Sequence, residues 1–101
     1  MKKLKPILIE IIYEGDHCIP CVYMLETVEE AIEDMGDGVK LELVYLRQET
    51  GGRRYKELSE GLGGPAPIPS IFINGRLYFS TTPPVEELKR TLQGLLLQAG
   101  E

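Results

Sequence analysis

Apolar residues follow two different rhythms along this chain. Ile7-Leu8-Ile9-Glu10-Ile11-Ile12-Tyr13 is β-branched and almost wholly apolar, the pattern of a strand covered on both faces. From Cys21 the spacing changes. Cys21, Leu25, Val28, Ile32 and Met35 form the stripe of an amphipathic helix, which Gly36 is placed to stop. Val39 to Leu46 then returns to strict alternation, with Val39, Leu41, Leu43 and Tyr45 on one face and Lys40 and Glu42 on the other. Strand, helix and strand joined by short turns predict a βαβ unit, hence a parallel pair with a right-handed crossover.

The second half is punctuated by turns. After Gly51-Gly52, the positions Tyr55, Leu58 and Leu62 predict a short helix, with Arg53-Arg54 on its solvated face. Gly61 to Pro69 reads as loop. Ser70-Ile71-Phe72-Ile73 and Arg76-Leu77-Tyr78-Phe79 flank Asn74-Gly75, whose residues suit the positive φ angles of a two-residue hairpin turn. A last helix carries Val85, Leu88, Leu92, Leu95 and Ala99 on one side, with Thr82 as its N-cap, Pro83-Pro84 near its first turn and Gly100 beyond its end. Gly94 within that helix costs roughly 1 kcal/mol relative to Ala, which points to close packing there. The order β-α-β-α-β-β-α predicts a single α/β domain over residues 1–101. Its four-stranded mixed sheet would carry helices on both faces.

Composition narrows the function classes. Of 101 residues, 43% are hydrophobic and 27% charged, which fits a folded chain and excludes a disordered one. Eleven Lys and Arg against sixteen Asp and Glu leave a net charge of −5. Nucleic acid or an anionic membrane would be bound against that field, so neither is expected as a partner. Met1-Lys2-Lys3-Leu4-Lys5 has the look of a signal-peptide start. The apolar run behind it, however, is broken by Glu10 and ends in Gly15-Asp16-His17 with no small-residue cleavage site. A solvated basic start before a buried strand is expected, in a cytoplasmic protein whose thiols are kept reduced.

Chemistry is concentrated at His17-Cys18-Ile19-Pro20-Cys21, where the first strand hands over to the first helix. Cys18 falls at the helix N-terminus, where unpaired N–H groups and the positive end of the macrodipole stabilise a thiolate, the nucleophile of disulfide exchange. Cys21 lies almost one turn on, within the apolar stripe, and is expected to be buried and able to resolve a mixed disulfide on Cys18. Pro20 suits the first helical turn and stiffens the loop. Two inert core cysteines would be the bland alternative, but a C-x-x-C at such a junction favours redox chemistry. Metal is the rival reading. Cys18, Cys21 and His17 supply at most three ligands where a closed zinc site wants four, so no metal or other cofactor is expected within one chain. His17, the single histidine, would favour the thiolate if protonated, and is otherwise an exposed loop residue. Glu14 and Asp16 act in the opposite sense.

These residues resemble the thioredoxin-fold thiol oxidoreductases, over nearly the whole chain. Two separated motifs carry the likeness: Cys18-Ile19-Pro20-Cys21 after a hydrophobic strand, and Ile68-Pro69-Ser70-Ile71-Phe72-Ile73-Asn74-Gly75. The resemblance implies a cis peptide at Ile68–Pro69, in a loop that presents backbone groups to an extended substrate beside the nucleophile. It implies thiol–disulfide exchange on protein disulfides, with another protein or a small thiol as electron donor, in a monomer. Proline in the third position of the C-x-x-C is similar to thioredoxin, while the short N-terminus and the Pro69-to-Asn74 spacing resemble glutaredoxins. The Gly-Gly-acid pattern that would bind glutathione is replaced by Ser80-Thr81-Thr82, and the acid of the thioredoxin strand by Ile12. Glu10 has two readings, a carboxylate for the resolving cysteine or a solvated strand-end acid. Two further functions stay open: a glutaredoxin-like dimer holding glutathione or an iron–sulfur cluster, and a peptide-binding module of the same fold without turnover.

Overall fold

The computed structural model describes residues 6–99. Strand β1 spans Ile7–Tyr13, helix α1 Ile19–Ile32, β2 Val39–Tyr45, α2 Glu49–Leu62, β3 Ser70–Ile73, β4 Arg76–Phe79 and α3 Val85–Ala99. The sheet order is β2-β1-β3-β4, with β1 and β2 parallel and the β1–β3 and β3–β4 pairs antiparallel. This is the α/β architecture expected from the pattern, and it is compatible with a thioredoxin-like fold.

Strand β1 is central because both of its faces are apolar. Ile7, Ile9 and Ile11 pack with Met24, Val28 and Ala31 of α1, Leu88 and Leu92 of α3, and Ile71 and Ile73 of β3. On the opposite face Ile12 meets Val44, Leu58, Ala66 and Phe72 beneath α2. Helices α1 and α3 therefore cover one face of the sheet and α2 the other. No helix among the described residues is long and apolar enough to cross a membrane.

Local chemistry explains most element ends. Asn74 and Gly75 take φ of 52° and 84°, which the tight β3–β4 turn requires. Gly63, at φ 80°, caps α2 in the left-handed conformation. Gly36 is also left-handed, at φ 54°, but α1 stops earlier, at Ile32, and a short 3-10 turn over Gly36–Gly38 leads into β2.

Several expectations are corrected. Helix α1 buries Cys21, Met24, Thr27, Val28 and Ala31, while Leu25, Ile32 and Met35 pack only at the core margin. The helix packs against the sheet and, at its side, against α3, so its covered surface is rotated and broadened from the predicted stripe. On β2, Leu43 is exposed at the sheet edge, and Val44 is buried among the residues under α2. Helix α2 is a full fourteen residues, beginning before Gly51 and running to Leu62, which is exposed. At the start of α3 the carbonyl of Pro84 accepts from the N–H groups of Glu87 and Leu88, so Pro84 and not Thr82 opens the helix. Gly94 is exposed with no atom within 4 Å of the place a Cβ would take, so close packing does not account for it. The glycine that packing does require is Gly51, where a Cβ would overlap the Tyr45 backbone. The Ala99 side chain, Gly100 and the basic segment 1–5 lie outside the described residues.

Candidate redox site

The dithiol sits where the chain changes from strand to helix. Cys18 is the N-cap of α1, its backbone extended at φ −88° and ψ 99°, and its carbonyl receives the first helical hydrogen bond, from the N–H of Val22 at 3.0 Å. Its Sγ accepts from the N–H of Cys21 at 3.3 Å, so sulfur does here what a serine oxygen does in an ordinary cap. Pro20 occupies the second helical position, where a missing N–H costs nothing. The two sulfurs are at bonding distance as a disulfide, with Cα atoms 5.2 Å apart, inside the usual disulfide range. Cys18 is half-buried and Cys21 is fully buried, so one sulfur of the pair faces outward and the other inward.

The Ile68–Pro69 peptide is cis. Register places it relative to the dithiol: Ser70 pairs with Ile12, so the residues just before Ser70 lie at the end of the sheet where β1 runs out toward Cys18. Ile68 and Ile19 are both exposed, and Pro69 is half-buried. The Ser70 hydroxyl, wholly buried, donates to the Pro67 carbonyl at 2.8 Å and braces this segment from within.

The β1–α1 loop is tied by a contact that sequence reading missed. Tyr13 donates its hydroxyl to Asp16 at 2.6 Å, and its ring stands edge-on to Tyr45. Donation to the Asp16 carboxylate, and then burial, push the Tyr13 phenol up to about 12. The spacing of an acid three residues after a strand-end tyrosine was the available signal. His17 is exposed, and its imidazole folds over Gly15: a Cβ there would come within 2.8 Å of ring atoms. The structure thus gives His17 a place against the loop backbone.

Glu10 is neither a solvated acid nor a partner for Cys21. Only 6% of its side chain is exposed, and it accepts from Arg54 Nε at 2.7 Å and Nη2 at 2.8 Å. The planar guanidinium fork matches the carboxylate at both oxygens. Arg54 also donates to Glu57, and these carboxylates, Glu10 foremost, raise its already high pKa further. Arg53 does stay on the surface, paired with Glu49 at 2.9 Å. The Arg54 half of the expected solvated pair is therefore corrected. Glu10 lies on the α2 face of the sheet and Cys21 on the α1 face, so the sheet stands between them. A pocket of about 180 Å³ opens over the Glu10–Arg54 pair, between β2 and the start of α2, on the face away from α1.

Among the described residues, no three side chains of His, Cys, Asp or Glu stand close enough to share a metal ion. What the arrangement can do is present one sulfur at a helix N-terminus while a second waits behind it. Comparison with protein-family models finds none that matches the chain, and comparison with curated proteins finds no match either. The assignment of chemistry therefore rests on the Cys18–Cys21 geometry within this α/β fold.

Proposed function

We propose that this protein is a thiol–disulfide oxidoreductase of the thioredoxin-like fold, acting on protein disulfides. The observation that carries the reading is the unequal cysteine pair at the start of α1: half-buried Cys18 as N-cap, fully buried Cys21 directly behind it. In the reduced protein the Cys18 thiolate attacks one sulfur of a substrate disulfide. That S–S bond breaks, and the departing sulfur takes up a proton. Cys21 then loses its proton and attacks the Cys18 sulfur of the mixed disulfide, which releases the second substrate thiol and leaves Cys18–Cys21 oxidised. Two electrons and two protons pass from the dithiol to the substrate. The Pro69 loop supplies backbone groups along which an extended substrate chain lies. In a reducing cytoplasm, a thiol or a reductase returns the pair to the dithiol.

The test is the redox equilibrium of Cys18 and Cys21 against a dithiol buffer, read by the mass shift on alkylation, together with reduction of a model protein disulfide. A reversible two-electron couple near roughly −270 mV marks a reductant, and one above about −200 mV an oxidant or isomerase. Cys18→Ser is expected to abolish exchange, and Cys21→Ser to trap the mixed disulfide. Failure to form an intramolecular disulfide, or a Cys18→Ser variant that binds its partner unchanged with no native turnover to lose, overturns the proposal.

A further inference from the structure

We infer that Arg47 is a positioning residue for the redox site, whose fixed positive charge favours the Cys18 thiolate. The inference rests on the exchange reading above and names the group that regulates its nucleophile.

Two independent features bring Arg47 to the dithiol loop. The parallel register joins Tyr13 to Tyr45, and the Leu46 N–H continues the ladder onto the Tyr13 carbonyl at 3.0 Å. Extending that register sets Arg47 abreast of Gly15. The side chain agrees, because the site a Gly15 Cβ would fill lies 3.7 Å from Arg47 Nε. The Gly15 carbonyl in turn accepts the N–H of Cys18 at 3.0 Å. Only one backbone turn therefore separates the guanidinium's resting place from the nucleophile. A Cβ at Gly15 would displace the exposed His17 ring but would stand at ordinary contact distance from Arg47.

Two neighbouring arginines are already committed to carboxylates. Arg53 is engaged by Glu49, and Arg54 by Glu10 and Glu57. Among the described residues, Arg47 has no carboxylate within 4.0 Å. The loop itself carries Glu14, Asp16 and His17, and Asp16 is held by the Tyr13 hydroxyl. On α3, the first turn carries Glu86 and Glu87. The first turn of α1 holds no acid, and residues 66–70 hold no ionisable side chain. With Glu14 and Asp16 disfavouring a thiolate, a permanent cation beside Gly15 offsets them at every working pH, which a histidine does not.

The test follows the alkylation rate of Cys18 against pH in the reduced full-length protein, using iodoacetamide at low salt, for native, Arg47→Gln and Arg47→Lys chains. Arg47→Gln is expected to move the midpoint upward and cut the rate near neutral pH by roughly 3- to 10-fold, with the plateau at high pH unchanged. Arg47→Lys restores most of the rate. The difference shrinks in about 1 M salt, where the screening length falls to ~3 Å. Arg47 is exposed, so matching circular dichroism melts exclude a folding cause. A Gln profile that superimposes on a native profile of lowered midpoint overturns this inference alone. A native protein with an ordinary thiol midpoint and no intramolecular disulfide overturns the exchange reading itself.

Discussion

Arg54→Met isolates the most consequential long-range contact in the fold. The methionine keeps an apolar stem under α2 but removes both hydrogen bonds to Glu10, whose side chain is 6% exposed. Breaking a buried ion pair by deleting one partner commonly costs about 3–5 kcal/mol, because the remaining charge is stranded. Arg54 itself is 37% exposed, so water reaches the site, and we place the loss at about 2–3 kcal/mol. For a domain of this size that lowers Tm by roughly 10–20 °C. Glu10→Leu should cost less, since the freed guanidinium keeps Glu57 at 3.0 Å and can turn to solvent. The double variant Glu10→Leu/Arg54→Met puts two apolar groups together and is expected within about 1 kcal/mol of the native chain. Urea and thermal unfolding of the four proteins, followed by circular dichroism, complete the cycle. If Arg54→Met unfolds like the native protein, or the double variant is no better than Arg54→Met, the stranded-charge reasoning is wrong.

Other outcomes follow from single positions. Gly94→Ala removes a flexible residue from an exposed, open helical site, and should raise stability by about 1 kcal/mol in the same unfolding assay. Gly51→Ala forces a Cβ into the Tyr45 backbone and should lose about 3 kcal/mol or more, since α2 must shift off the β2 end. In an absorbance titration of the five tyrosines, Tyr13 should ionise near 12, after the ordinary value of 10. Its folded pKa is raised, so its stabilising contribution is complete below about pH 10 and is lost as pH climbs through 12. Tyr13→Phe should lack that alkaline loss, and a Tyr13→Phe unfolding profile parallel to the native one between pH 9 and about 12 would count against the Asp16 contact.

What the sequence determined by itself was local chemistry and the order of elements. The C-x-x-C at a strand-to-helix junction, the Asn74-Gly75 hairpin and the βαβ start are all written in runs of a few residues. There, backbone preference or side-chain period acts without help from distant parts of the chain. The cis Ile68–Pro69 bond is expected from the family resemblance and not from local preference, which favours trans. Tertiary structure decided whatever depends on how those elements rotate and register against one another. Glu10 meets Arg54 across 44 positions. Gly51 is pressed on Tyr45, Arg47 comes to rest beside Gly15, and Gly94 faces open space. A periodic pattern states that a helix has an apolar side, but not which neighbour that side or its edges will meet. Glu10 shows the consequence most plainly: alone it reads as a solvated or catalytic acid, and only the approach of α2 to the sheet makes it half of a buried ion pair.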